Sequence, residues 1–304
     1  MGLYSKVTVV IAAYNSGRTM ERCLKAVLAQ DYPDFDVVVV DNNSTDNTAA
    51  IVKRYPVKYL FESRKGWPAA RNTGVAHADS AYVANIDADC FPTPSWVTNL
   101  MKRIGETDTG CVVGKTLVEE GETFAQRYYS STNPFSIEHK IGKTEFVPWG
   151  GGNNVMKRDA FLKAGGYDSD RFTSGADIDM HMRMERICGL RTVFEESALI
   201  YHEARGSARE FYEVAAKYAH GGYMRSRDSS MSEQSDYFRL FALRNAWQII
   251  RHAGGMIFRG AKAMAGRDTW FRAASNWFAI VGYAGTIHGY LKARREISAA
   301  SCHR

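Results

Sequence analysis

The sequence is poor in the features that mark a secreted scaffold or a membrane span. Only five cysteines occur in 304 residues: Cys23, Cys90, Cys111, Cys188 and Cys302. No two have metal-ligand or redox spacing, and an odd, sparse set fits a reducing compartment better than a disulfide framework. The amino terminus, Met1-Gly2-Leu3-Tyr4-Ser5-Lys6, leads straight into strand-like Val7-Thr8-Val9-Val10-Ile11 and lacks signal-peptide architecture. No internal repeat or low-complexity tract is present. Residues 273–291 carry no Asp, Glu, Lys or Arg. That length suffices for a bilayer, but Ser275, Asn276, Thr286, His288 and three glycines make it a poor span. The first strand is not followed by a G-x-G-x-x-G turn, which argues against a dinucleotide-dependent dehydrogenase.

What is present is a chain that is 45% hydrophobic, enough for one large core or two domains. Its net charge of +6 is unevenly placed. From Arg205 to Arg304, sixteen Lys and Arg stand against seven Asp and Glu, leaving 23 against 26 in the rest. A basic carboxyl-terminal third beside a slightly acidic body predicts docking on something anionic. The basic residues are interleaved with Phe, Trp, Ile and Met at helical spacing, which suits an anionic membrane surface better than nucleic acid. Trp270, Phe271, Trp277, Phe278 and Tyr283 would then lie at the interface. The plain alternative is an ordinary basic helical subdomain. The expected location is the cytoplasm, peripheral on the inner face of the cell membrane.

The most informative segment is Ala84-Asn85-Ile86-Asp87-Ala88-Asp89. Two carboxylates, one residue apart, end an apolar strand. That pattern can hold a hard divalent cation with oxygen ligands and leave room for a diphosphate. Another apolar strand, Asp36 to Val40, runs into Asp41-Asn42-Asn43-Ser44-Thr45-Asp46. Two strands that deliver acids at their carboxyl ends predict an open α/β sheet with a nucleotide site on its crest. Read singly, each acid cluster is also compatible with a solvated turn. The order strand 7–13, helix, strand 36–40, helix 45–54, strand 57–61, helix 68–78, strand 81–86 is a doubly wound pattern. Residues 119–146 are polar and aromatic without a clean period, and are expected to be a mobile segment over a site. Trp149 suits stacking on a sugar ring or a place in the core. Gly150-Gly151-Gly152 before Asn153-Asn154 permits close approach of backbone to ligand, or a flexible turn.

Taken in order, Ala12-Ala13-Tyr14-Asn15, Val40-Asp41-Asn42-Asn43-Ser44-Thr45-Asp46, Ala70-Arg71-Asn72-Thr73-Gly74, Ile86-Asp87-Ala88-Asp89, Gly165-Gly166-Tyr167-Asp168 and Gly175-Ala176-Asp177-Ile178-Asp179-Met180-His181-Met182-Arg183 resemble the family 2 glycosyltransferases over roughly residues 6–203. The resemblance implies a GT-A fold: a Rossmann-like, mostly parallel sheet with flanking helices, here with a helical carboxyl-terminal extension. It divides the chain into residues 1–205, with a nucleotide-sugar half to about 110 and an acceptor half after it, and a basic helical region over 206–304. It implies inverting transfer from a nucleoside diphosphate sugar with Mn²⁺ or Mg²⁺. Tyr14 and Asp41 would contact the nucleobase, Asp41 accepting from the ring N–H of a uracil. Ala13, Asn15 and Ala88 would line the donor site beside them. Arg71 would support the base and diphosphate, Asp87 would sit near ribose or metal, and Asp89 would ligate the metal, with His202 a second metal or diphosphate contact. Asp177 would be the general base. Trp149, Gly151, Gly152, Asn153 and Asp179 would meet the acceptor, a glycan or a polyprenyl-linked glycan.

Two departures matter. The family usually has Glu before this Asp, where the chain has Ala176. The Gln-x-x-Arg-Trp motif of processive synthases is missing, and Met182-Arg183-Met184-Glu185-Arg186 does not replace it, so single-sugar transfer is the expectation. Asp179 can pair with Arg183, four residues on, while Asp177 faces a cleft. Two other functions compete: a catalytically silent nucleotide-sugar or glycan binder, and a sugar nucleotidyltransferase, for which the phosphate loop at Tyr14-Asn15-Ser16-Gly17-Arg18 is weak.

Overall fold

The computed structural model of the protein describes residues 5–136, 151–172, 174–226, 234–265 and 270–301. They form two compact units, one of residues up to 119 with 133–203, the other of 120–132 with those from 204 onward. In the first unit β1 (Val7–Ala13), α1 (Met20–Leu28), β2 (Phe35–Asp41), α2 (Thr48–Val52), β3 (Lys58–Phe61), α3 (Trp67–Ala76) and β4 (Tyr82–Asp87) alternate along the chain. Then come β5 (Cys90–Pro92), α4 (Trp96–Ile104) and β6 (Thr109–Val118). After α5 (Phe124–Thr132), which belongs to the second unit, follow β7 (Asn153–Lys157), α6 (Arg158–Lys163), α7 (Ala176–Cys188) and β8 (Arg191–His202).

The eight strands form one mixed sheet in the order β3-β2-β1-β4-β7-β6-β8-β5. The first four pair in parallel. β7 then runs antiparallel to both β4 and β6, and the parallel pair β6–β8 is closed by antiparallel β5. Val9, Val10, Ile11, Val39 and Val40 are buried because β1 and β2 are covered on both faces, the environment in which β-branched runs pack best. On α1 the buried residues Met20, Cys23, Leu24 and Val27 recur at helical spacing and form its core stripe. Trp96 on α4 is fully buried, and its indole N–H is satisfied by Asn153 Oδ1 at 2.7 Å.

Two expectations change. The helix expected over 45–54 is shorter, because Asp46 turns its carboxylate onto the N–H groups of Thr48 and Gly17 and keeps 44–47 in a loop. Within the segment expected to be mobile, residues 124–132 are helical, and residues 137–146 lie outside the described residues.

The second unit adds α8 (Ala208–Ser226), α9 (Gln234–Met264) and α10 (Trp270–Ser301) to α5. α10, which contains the uncharged stretch, packs along both α8 and α9. A side-chain carbon at Gly285 or Gly289 would stand 2.4 Å from Tyr212 O or 1.9 Å from Ala216 O, so glycine lets the α8 and α10 backbones meet. Phe278 stacks with Phe124 and Tyr128 and tilts against Phe211, so it is an interior residue of this unit rather than an interfacial one. Tyr283 lies beside His252. The side chains of Trp270 and Phe271 lie outside the described residues. No helix among the described residues is long and apolar enough to cross a membrane.

Candidate active site

The carboxyl ends of β1, β2 and β4 lie level, because Ala13 pairs with Asp41 and Ala12 with Asp87. The loops that leave them share one crest, where open α/β sheets bind ligands. After β1, Ala13 is buried, Tyr14 is exposed and Asn15 takes a left-handed turn with φ 48°. Asn15 donates its N–H to Ser44 Oγ at 3.0 Å and accepts from Thr45 N–H at 2.8 Å, which stitches the β1 loop to the β2 loop.

Asp41 ends β2 and is buried. The Tyr59 hydroxyl donates to Oδ2 and the Ser44 N–H to Oδ1, each at 2.9 Å. Burial, reinforced by that bond to Asp41, pushes the Tyr59 phenol up to about 12. Asn42 next to it donates to Glu62 O and Arg64 O and accepts from Gly66 N–H, drawing the β3–α3 loop onto the end of β2. Glu62 is nearly buried beneath that loop. Its bond from Arg64, supported by the Thr73 hydroxyl, holds its carboxyl at about 2.

Arg71 is only 2% exposed. Its Nη2 meets Asp87 Oδ1 at 2.5 Å, and its guanidinium lies 4.6 Å from the Trp67 ring, one helical turn earlier. Its Nε has no hydrogen-bond partner among the described residues. Gly151 and Gly152 thread past these groups. A side-chain carbon on Gly152 would stand 2.0 Å from Asp87 Oδ2, and one on Gly151 would stand 2.9 Å from Arg71 Nη1 and 3.1 Å from Asp177 Oδ2. The Gly151 N–H donates to Asp177 Oδ2 at 3.2 Å. Asp177 lies in the first turn of α7, where the helix dipole favours an anion. Ala176 beside it is fully buried. One turn on, His181 is buried, and burial pushes its pKa down against the opposing pull of the Asp177 charge. Asp179 is held by Arg183 at 2.7 Å, and Arg183 also donates to Gly166 O, so this acid braces the 164–166 turn.

The remaining acid, Asp89, faces His202. The β5–β8 pairing sets Cys90 opposite His202, and Glu203 N–H donates to Asp89 O at 2.9 Å. His202 Nδ1 lies 2.6 Å from Glu203 O, the geometry of an Nδ1–H donor to that carbonyl, and this places Nε2 facing Asp89 Oδ2, 3.4 Å away. Cys90 is the third potential donor of this cluster. Burial first, then the Asp89 and Asp87 charges, pushes its thiol well above its ordinary value. A carboxylate and an imidazole fit a divalent cation that keeps positions for other oxygen ligands.

Arg71, Asp87, Gly151, Gly152 and Asp177 are therefore brought into mutual contact, and Asp89 meets His202 just beyond β4. Ala88 is buried between the two acids, and Asn153 turns its side chain inward to Trp96. Trp149 lies outside the described residues. Sequence reasoning missed Glu62 and Trp67, and quoted His181 within the last motif without giving it a role. Each carried a signal: an acid just past an apolar strand, an aromatic at i−4 from Arg71, and a histidine at i+4 from Asp177.

Residues 8–164 match the family model described as Glycosyl transferase family 2. Glycosyltransferase AglE of Haloferax volcanii is 30% identical over 209 residues, covering 66% of this chain and 67% of that protein. Among solved structures, mannosyltransferase PcManGT from Pyrobaculum calidifontis, in complex with GDP-Man and Mn²⁺, aligns at TM-score 0.64 and 19% identity over 97% of this chain and 88% of its own. S. aureus TarS 1-349 in complex with UDP aligns at 0.51 and 17% identity, over 94% and 91%. At these identities the two structures attest the shared fold.

Proposed function

The chain belongs to glycosyl transferase family 2, and from that premise we propose that it transfers one sugar from a nucleoside diphosphate donor to an acceptor hydroxyl, with inversion at the anomeric carbon. The observation that carries this reading is the contact set Arg71–Asp87–Gly152 beside Gly151–Asp177. It supports an electrostatic donor cradle with a carboxylate base next to it.

In this reading Asp41 and Tyr14 hold the nucleobase. Asp41 already accepts one bond on each oxygen, and each oxygen retains a second lone pair that suits a ring N–H such as that of uracil. Arg71 supports the donor's anionic part, and its rigid stacking on Trp67 fixes the guanidinium in place. Asp89 and His202 are the residues that would hold Mn²⁺ or Mg²⁺. Such an ion offsets the charge that builds on the leaving diphosphate. Asp177 takes the proton of the acceptor hydroxyl as that hydroxyl attacks. The Gly151 N–H steadies its carboxylate. One base and one displacement give inversion. Asp179 acts here as a brace for α7 rather than as an acceptor contact. The acceptor is a glycan, with a polyprenyl-linked glycan as the favoured class.

The test is a donor screen for nucleoside diphosphate release with Mn²⁺ or Mg²⁺ and with EDTA, read beside nucleotide binding. Metal-dependent release, lost in Asp177→Asn while binding persists, supports the proposal. Binding to the wild type with no release across a broad acceptor panel would leave the silent binder, which the buried Ala176 in place of the family's Glu favours. Release of diphosphate instead would assign a nucleotidyltransferase.

A further inference from the structure

α9 carries a stripe of large apolar side chains that nothing among the described residues covers. Leu243, Trp247, Ile250, Ile257, Phe258 and Met264 are 58–75% exposed. At 100° per residue they fall, with the exposed Gly254 and Ala261, within one face about 120° wide and about 30 Å long. The opposite face is the inner one: Asn245 and Ala263 are buried, and His252 Nδ1 bonds to Asn276 of α10 at 2.8 Å. The stripe is therefore not a misplaced core face, because the core face of α9 is already occupied. Monomeric proteins seldom leave a continuous apolar strip of this length to water.

The charge beside the stripe identifies what covers it. Exposed Arg244, Arg251 and Lys262 fall on one shoulder of the apolar face. α9 holds five basic residues, with Arg239 and Arg259, and the single acid Asp236. Arg251 lies 5.7 Å from the Trp247 ring and Lys262 4.5 Å from the Phe258 ring, so aromatic and cation meet where apolar surface gives way to polar. A second copy docked face to face would set a row of cations against a row of cations. A bilayer surface rich in anionic lipid satisfies both parts at once, with the apolar face sunk at the headgroup boundary and the arginines and lysine among lipid phosphates.

We infer that α9 docks the protein in the plane of an anionic membrane through the Leu243–Met264 face. The uncharged stretch of α10, residues 273–291, which the sequence also offered for that role, lies in a helix that packs along α8 and α9. The inference stands apart from the proposed reaction, since none of its residues belongs to the candidate active site.

The experiment is co-sedimentation of the full chain with phosphatidylcholine vesicles and with vesicles containing phosphatidylglycerol, at low and high salt. The expected result is binding to the anionic vesicles only, weakened by salt. Ile250→Asp combined with Ile257→Asp should reduce it by about tenfold or more, and Arg251→Ala with Lys262→Ala should reduce it and flatten its salt dependence. Thermal unfolding and nucleotide binding of each variant should match the parent, which separates this test from that of the reaction. Because both isoleucines face solvent, a folded Ile250→Asp/Ile257→Asp protein is expected. Absence of vesicle binding by the wild type, or equal binding by these variants, would overturn the inference. So would a concentration-dependent dimer that the isoleucine variant dissolves, since it would make the stripe a protein interface.

Discussion

Gly152→Ala tests whether the glycine pair is required for the site to assemble. The new carbon would stand 2.0 Å from Asp87 Oδ2 and 2.6 Å from its Cγ. Ordinary contact needs about 3.5 Å, so one side must move by about 1.5 Å. The backbone is the less able to yield, because the next residue, Asn153, pairs with Ile86 in the sheet and accepts the Trp96 indole. Asp87 must therefore swing away, and Arg71 loses its partner while 98% buried with Nε already unsatisfied. A charge-assisted hydrogen bond contributes about 1.5–3 kcal/mol. The Asp87 side chain is 42% exposed and regains water when released, so about 1–2 kcal/mol is the better figure. For a unit of this size that lowers Tm by about 2–8 °C. Displacing both groups should weaken nucleoside diphosphate binding by about tenfold, the equivalent of about 1.4 kcal/mol. Scanning calorimetry and titration calorimetry with UDP and GDP read the two effects. Gly206→Ala, with nothing within 4 Å of the added carbon, is the control and should change neither. A Gly152→Ala protein with parental Tm and parental nucleotide affinity would refute the reasoning, because the cradle would then not depend on Asp87 staying where it is.

Three further outcomes are expected. Mn²⁺ binding followed by electron paramagnetic resonance should weaken by about tenfold in His202→Ala, a loss typical of disturbing a ligand set, and by more in Asp89→Ala; unchanged binding in both would remove the metal assignment. Glu62 has its carboxyl held at about 2 against 4.5 by Arg64 and Thr73, so its contribution is complete above pH 4.5 and is lost as pH falls toward 2. Glu62→Gln should therefore melt below the parent at pH 7, with the gap closing on acidification. His181 has its pKa lowered by burial, so its neutral form supports the fold above its ordinary value of about 6.5, and that support is lost as pH falls through its folded value. His181→Gln should flatten the melting profile as pH first falls below about 6.5, and an unchanged slope there would show that another group governs it.

How much of this was legible follows from how each residue is held. β1, β2 and β4 were readable because a parallel strand covered on both faces needs an unbroken apolar run, and Asp41, Asp87 and Asp89 stand where those runs stop. β8 was not, since Glu195, Glu196 and Ser197 interrupt it at a register shift opposite Gly114 and Lys115. Without β8 the meeting of Asp89 with His202 was offered by the family resemblance alone, because it is made by the short pairing of β5 with β8. α5 was hidden for a different reason. Its Phe124 and Tyr128 face other aromatics of the helical unit, so its buried stripe does not read as an aliphatic one.

The change of strand direction in the sheet explains why the two halves of the candidate site come together. β7 runs opposite to β4, so it enters the sheet at the crest where β4 leaves it. With Ile86 paired to Asn153, the residue preceding β7 arrives beside the residue that ends β4, and Gly152 meets Asp87. A parallel strand in that place would enter from the far edge and bring no backbone N–H to Asp177. The register that makes this meeting is marked by polar groups inside the sheet. Asn85 Nδ2 donates to Asn154 Oδ1 at 3.0 Å, both residues wholly buried, and the Asn153 amide reaches Lys115 O as its carbonyl takes the Trp96 indole. A slip of one residue would turn Asn154 off its partner's face and leave two buried amides unpaired, each at about 1–3 kcal/mol. Three of the four positions 151–154 are thus explained by one requirement: Gly152 to pass Asp87, and Asn153 and Asn154 to hold the strand where that passage occurs.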